Sequence, residues 1–256
     1  MLFSIEGLVL SKEKVGEIDL LVETLTPKGK VWAIAKGAQK SKRRFVNLLE
    51  DFNLLTLHLR RNFKGTLPIL EKADLLFIPE SLWEDLEKYV FFSYLGEVLS
   101  KVSFKGLEVE YFNFIKDWIK FLDKEPKITL WHKVFFEWQM LGFLGWSPQV
   151  EGCVKCGYQP KRIFYFSVRD GGVLCYRCKE ENAFRLTLEQ VEVLKIFSKM
   201  SKKPKFLKEP MKKNRLSSEV LMILNKISER FFQYFLVFDV ISLKMVKETL
   251  GMEVVS

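Results

Sequence analysis

Histidine and cysteine are scarce: His58 and His132 are the only histidines in 256 residues, and the cysteines number four. Neither histidine opens an H-x-E pattern and neither cysteine pair follows proline. That sets aside the zinc deaminases, which need a Glu beside a His or Cys ligand to work the bound water. Each histidine is expected as an ordinary packed or surface residue. There is no G-x-x-x-x-G-K-[ST], no G-x-G-x-x-G and no G-x-S-x-G. Nothing therefore points to a P-loop ATPase, a dinucleotide fold or a nucleophile elbow. Acidic residues such as Glu50-Asp51 and Glu180-Glu181 come as chain neighbours, whose side chains diverge; a metal-dependent nuclease would need distant partners for them. No run of 18 apolar residues exists, so no membrane-spanning helix is expected. The opening MLFSIEGLVLSKEK lacks a basic leader and its apolar run is broken by Glu6, so it is not expected to act as a signal peptide. A cytoplasmic setting follows as the expectation, with the cysteines as thiols or metal ligands and not as disulfides. Internal repeats and low-complexity linkers are absent too.

What is present is a globular composition, 48 % hydrophobic and 29 % charged, long enough for one large domain or two to three small ones. Phenylalanine occurs 23 times while alanine is rare, so large aromatic side chains must fill the cores. Forty-one Lys and Arg against 32 Asp and Glu leave a net charge of +9, which favours polyanionic partners: nucleic acid or an anionic surface.

The chain changes character once. Ser4–Leu10, Asp19–Leu25, Lys30–Ala35, Phe52–Leu59 and Gly65–Ala73 read as five short strands between turn signals, the spacing of a small barrel or sandwich and suited to an OB-type barrel. Pro79 ends that pattern, and Ser81-Leu82-Trp83-Glu84 has the form of a helix capping box. Helices are expected at about 81–103, 107–123 and 128–144, then from a second capping box at Thr187–Gln190, and from about Ser217 to Phe235. The expected fold is therefore α+β and multidomain: a β-barrel domain over 1–78, then a helical domain over 79–256 with a cysteine-rich insert at about 150–180.

That insert carries the most specific motif. Cys153-Val154-Lys155-Cys156 and Cys175-Tyr176-Arg177-Cys178 give C-x2-C-x18-C-x2-C, within the range of tetrahedral zinc sites, and they use every cysteine of the chain. Two residues between thiolates make a knuckle that turns both sulfurs to one ion. Ile163–Val168 as a strand and Asp170-Gly171-Gly172 as its turn would bring the second knuckle back. Four thiolates leave no open position for water, so a zinc held here is expected to be structural; iron in a rubredoxin-like site is the alternative.

Basic charge is uneven. Lys36, Lys40, Lys42, Arg43 and Arg44 lie in nine residues without an acid. Residues 195–215 hold nine cations, Lys202, Lys203, Lys212 and Lys213 among them, against Glu209 alone. Flexible cations on a loop beside a small barrel form a surface that can follow a phosphate backbone. Gly37 would let the backbone turn there. Phe3, Trp32, Phe45, Phe52 and Phe63 lie near the barrel, but Trp32 sits in an alternating strand and is expected in the core, and none stands out as a base platform. On these residues alone, DNA binding, RNA binding by an OB and zinc protein, a metal-dependent nuclease and a scaffold for acidic protein tails all stay open.

The segments Glu6-Gly7-Leu8-Val9-Leu10, Gly16-Glu17-Ile18-Asp19-Leu20-Leu21-Val22 and Leu25-Thr26-Pro27-Lys28-Gly29-Lys30 resemble the start of the RecO family. Ala35-Lys36-Gly37-Ala38-Gln39-Lys40, followed by Lys42-Arg43-Arg44, matches it most closely; Gln39 stands where that family often has Arg. The resemblance also covers the order of barrel, helices, cysteine knuckles and last helices. It implies an OB fold, a helical domain and a four-cysteine zinc finger, without a catalytic centre. It further implies binding of single- and double-stranded DNA, annealing of complementary strands, and work with RecR and the acidic tail of single-stranded-DNA-binding protein in loading RecA, at the nucleoid. DNA contacts would fall on Lys36, Lys40, Lys42, Arg43 and Arg44, extended by Lys202, Lys203, Lys212 and Lys213. The tail's pocket would be an apolar groove edged by Lys in the helical domain.

Overall fold

The computed structural model describes residues 1–61, 67–102, 108–200, 216–235 and 240–251. The first five strands are β1 (Leu2–Val15), β2 (Asp19–Thr26), β3 (Gly29–Ala35), β4 (Leu54–Arg60) and β5 (Ile69–Phe77). They close into a barrel in the order β1-β2-β3-β5-β4. All pairings are antiparallel except the short parallel β3–β5 seam at Ile34 and Ile69. β1 runs past the expected Leu10 because it serves two partners. Its first half pairs with β4 and its second with β2, with a register shift between Val9 and Ser11 where it changes over. A bulge at such a point adds the twist that closure needs. Inward residues such as Val9, Val22, Ala35, Leu57 and Leu70 fill the barrel with period two. Trp32 is not among them: it is only half-buried and lies on the other face from buried Ala33 and Ala35. The expectation that it packs inside the barrel is thus corrected.

Helices α1 (Ser81–Glu84), α2 (Leu86–Lys101) and α3 (Glu108–Lys124) follow. The expected capping box at 81–84 does not form. The Ser81 N–H goes instead to the Asp123 carboxylate, 2.9 Å away, and the helix breaks at Asp85, whose side chain caps α2 through the N–H groups of Glu87 and Lys88. α2 lies on the barrel. Phe92 meets Phe52 edge-on at 5.1 Å between ring centres, and Ser100 donates to Glu23 at 2.9 Å. Contacts accordingly divide the chain elsewhere than at its change of secondary structure: one unit comprises 1–128 and 240–256, the other 129–239. The boundary expected at 79 marks the end of the strands; α1 to α3 belong with the barrel. A short last helix, α7 (Ser242–Thr249), returns to this first unit, where Glu97 of α2 accepts from the N–H groups of Ile241 and Ser242.

The second unit holds α4 (Leu130–Phe143), the small sheet of β6 (Phe164–Ser167), β7 (Gly172–Leu174) and β8 (Phe184–Leu186), then α5 (Leu188–Met200) and α6 (Ser218–Phe235). The capping box at Thr187 forms as the sequence predicts, with Gln190 N–H donating to Thr187 and Thr187 N–H to the Gln190 side chain. The cysteine segment shares the helices' core: Phe166 of β6 packs on Trp138 of α4 and Phe231 of α6.

Candidate nucleic-acid interface and metal centre

Lys36 follows β3 directly, and a single 3-10 turn, Ala38–Lys40, leads into the rest of the basic loop. Gly37 takes φ +68°, which a side chain would strain, and the chain turns back there. Asp19 at the start of β2 fixes the turn by accepting the Gly37 N–H at 2.7 Å. Gln39 adds a second tie, its side-chain amide donating to the Asp19 carbonyl at 2.7 Å while its N–H meets the Ile18 carbonyl. Further on, Ser41 Oγ accepts from the N–H groups of Arg44 and Phe45, and Ala38, Phe45 and Leu49 are sunk in the barrel core. The loop is thus pinned at both ends and in its middle. Between the pins Lys36, Lys40, Lys42, Arg43 and Arg44 are all exposed, and no carboxylate among the described residues pairs with any of them. Arg44 also donates to the Lys36 carbonyl and lies 4.8 Å over the Phe45 ring.

The four cysteines converge. Their sulfurs all lie within 4.8 Å of one another, and Cys156 Sγ stands 3.7 Å from Cys175 Sγ. That separation is far too long for a disulfide. Two thiolates each about 2.3 Å from one tetrahedral ion would stand about 3.8 Å apart, so the donor set fits a four-thiolate metal site. Both knuckles close with backbone bonds, Gly157 N–H to the Cys153 carbonyl and Cys178 N–H to the Cys175 carbonyl. Burial works against the Cys153 thiolate, but the backbone N–H groups of Cys175, Lys155 and Cys156 outweigh it and bring this thiol down to about 6. Such amides favour the form that binds metal. Gly172 makes the excursion possible: a Cβ there would meet the Gln149 carbonyl at 2.5 Å.

Both histidines have structural duties. His58 bridges Ser4 and Asp74 across the barrel strands. His132 accepts the Thr129 N–H in the capping box of α4, and burial holds its ring down to about 4. Among the described residues, the cysteines form the one cluster of three or more potential metal ligands.

Comparison with known proteins adds a decisive observation. Residues 1–78 match the family model described as recombination protein O N terminal, and 83–236 match recombination protein O C terminal. The chain belongs to the recombination protein O family. Relatives named DNA repair protein RecO include one from Thermoanaerobacter sp. (strain X514), 30 % identical over 183 residues, covering 70 % of this chain and 72 % of that one. One from Bacillus subtilis (strain 168) is 29 % identical over 203 residues, covering 77 % of each. One from Syntrophus aciditrophicus (strain SB) is 28 % identical over 179 residues, covering 68 % of each.

Gln39 has a structural role here: its side chain points into the turn before Asp19 and ties the basic loop to the barrel. Sequence reasoning missed Asp19 as the other anchor, because an acid beside a basic loop carries no mark of its partner 18 residues away. Of the second basic stretch, Lys202, Lys203, Lys212 and Lys213 lie outside the described residues. No helix among the described residues is long and apolar enough to cross a membrane.

Proposed function

We propose that this RecO-family chain is a recombination mediator that binds single- and double-stranded DNA through the 36–44 loop, with Lys202, Lys203, Lys212 and Lys213 extending the contact. The observation that carries the reading is the loop itself: five exposed cations, unpaired with carboxylates among the described residues, on a backbone pinned to an OB-type barrel. Cations on this pinned loop replace counterions along the phosphate backbone without the loop itself first having to be ordered. Holding two strands on one such surface lowers their mutual repulsion and favours pairing. The reading includes RecR and the acidic tail of single-stranded-DNA-binding protein as partners and RecA as the protein finally loaded. It assigns the protein no chemistry of its own.

Annealing of two complementary oligonucleotides, one coated with single-stranded-DNA-binding protein, tests this without ATP at two salt concentrations. Annealing that weakens as salt rises is expected. Failure of folded, metal-loaded protein to anneal would overturn it. Cleavage of labelled DNA with magnesium or manganese, or a preference for matched RNA, would replace it.

Cys153, Cys156, Cys175 and Cys178 would hold one Zn2+. Bound zinc would supply cross-linking and no catalysis, since four thiolates fill its coordination. The core beneath the knuckles is small: Cys153, Leu174 and Cys175, with Tyr165, Cys178 and Ala183 against them. Metal binding should therefore be folding energy here. Elemental analysis should return one zinc per chain, and thiol titration should find four reactive cysteines only after chelation. Cys175→Ser should lose the metal and expose 150–186 to proteolysis, while the barrel's DNA affinity persists.

A further inference from the structure

The cysteine module carries a surface that holding a metal does not explain. Tyr158, just past the first knuckle, and Tyr176, inside the second, are 60 % and 61 % exposed. Convergence of the four sulfurs brings the two knuckles together. The Arg177 guanidinium stands 5.9 Å over the Tyr176 ring and lies within electrostatic reach of the Tyr158 hydroxyl. Lys179 follows the second knuckle and lies 5.7 Å over the Tyr165 ring of β6, while Arg185 of β8 is paired directly opposite Tyr165 in the sheet. Aromatic rings and cations thus alternate over the module, and the sheet beneath is anchored through Phe166 on Trp138 and Phe231.

The charge left over is of one sign. Between Cys153 and Arg185 the carboxylates are Asp170, Glu180 and Glu181, and the first two are engaged by Lys155 and Arg169. Lys161, Arg162, Arg177, Lys179 and Arg185 are exposed, and none of them pairs with a carboxylate among the described residues. A zinc ion held by four thiolates carries a net charge of about −2, which these cations outnumber. Balancing the metal centre therefore does not account for all of them, and the excess suits a polyanion. Exposed rings beside unpaired cations are what a strand with unpaired bases calls for: flat faces for the bases and positive charge for the phosphates.

We infer that this face of the cysteine module is a second DNA contact, selective for single strands: Tyr158 and Tyr176 stack on bases, and Arg177 and Lys179 beside them meet phosphates. The inference rests on the DNA-binding reading above and deepens it. The 36–44 loop offers cations to the phosphates, which single strands and duplexes both carry. Stacking on a tyrosine needs a base whose face is free, and a duplex offers one only at the cost of unstacking. The two contacts therefore divide the work. The loop supplies a salt-dependent grip on any DNA, and the knuckle tyrosines supply the preference for unpaired strands.

The test measures binding of the full, metal-loaded chain to an oligothymidine and to a hairpin duplex of matched length. Tyr158→Leu with Tyr176→Leu should lower affinity for the oligothymidine on the order of 30-fold, the low end for two base–aromatic stacks. Duplex affinity should match the parent's, and so should the salt slope for both ligands, since no cation is removed. Tyr158→Phe with Tyr176→Phe keeps the rings and should keep the affinity. Metal content equal to the parent's shows that each variant's module is intact. In the unaltered chain, light-induced crosslinks from 5-iodouracil in the strand should fall on Tyr158 or Tyr176. Parent-like oligothymidine affinity in the leucine variant, or crosslinks that avoid both tyrosines, would overturn the inference and leave the loop reading standing. An equal fall for the duplex, or an equal fall in the phenylalanine variant, would overturn it too, because neither is stacking on unpaired bases. A parent that binds neither ligand would remove the DNA-binding reading itself, and this inference with it.

Discussion

Replacing Lys40, Arg43 and Arg44 together by Gln is expected to weaken DNA binding on the order of 100-fold at about 0.1 M salt. The slope of log affinity against log salt should also become shallower by two to three, about one for each phosphate that the loop no longer neutralises. All three side chains are exposed, so the melting temperature should hardly move. Arg44 is the partial exception, since it also rests on Phe45 and bonds the Lys36 carbonyl. Asp19→Ala gives the contrasting result. It removes the acceptor of the Gly37 N–H but no cation, so affinity should fall while the salt slope keeps its value. Affinity and slope both unchanged in the triple variant would remove the loop from the DNA interface.

That loop was legible because its signals are local: a strand end, a glycine, then cations without acids. The same holds for the cysteine site, where spacing alone foretells the convergence, and for the barrel, whose five strands announce themselves by alternation. The strand ends were less legible. Ser11 to Val15 look like a polar loop, yet they are strand, because the second half of β1 finds its partner in β2. Ser81 shows the same limit. Its capping pattern is local, but its N–H is claimed by Asp123, 42 residues on. The division of the chain at 128 was hidden for a further reason. Helices α2 and α3 have helix periodicity like those that follow, and only tertiary packing such as Phe52 on Phe92 assigns them to the barrel.

Trp32 illustrates what no pattern shows. Alternation places Trp32 on one face or the other, and the choice depends on what small residues the barrel interior can hold; Ala33 and Ala35 take the inside. The inside of the second unit is hidden for a related reason: sequence reasoning sends charged residues to the surface, and here some of them are not there.

Lys133→Ala is expected to destabilise the second unit by about 3–5 kcal/mol, measured by urea unfolding with zinc held constant. Lys133 is wholly buried on α4. Its ammonium lies 2.7 Å from Glu137, 2.9 Å from Glu229 and 2.6 Å from the side-chain Oδ1 of Asn225. Asn225 donates to Glu229, and Ser228 donates to Glu137 at 2.6 Å. Removing the lysine leaves two carboxylates facing each other out of water, which is the costly half of any buried ion pair. A domain of this size is stable by only about 5–15 kcal/mol, so the single change takes a large share. Removing the whole set should behave differently. Lys133→Met, Glu137→Leu, Glu229→Leu and Asn225→Leu together remove these three charges and the amide; the Ser228 hydroxyl can turn to the backbone carbonyl of residue 225, 3.0 Å away. That variant should be near parent stability or above it, because the desolvation of three charges then disappears with their attraction. The contrast between the two variants assigns the network its role. The ions are positioned to fix how α4 meets α6, and their attraction mainly offsets the cost of burying them.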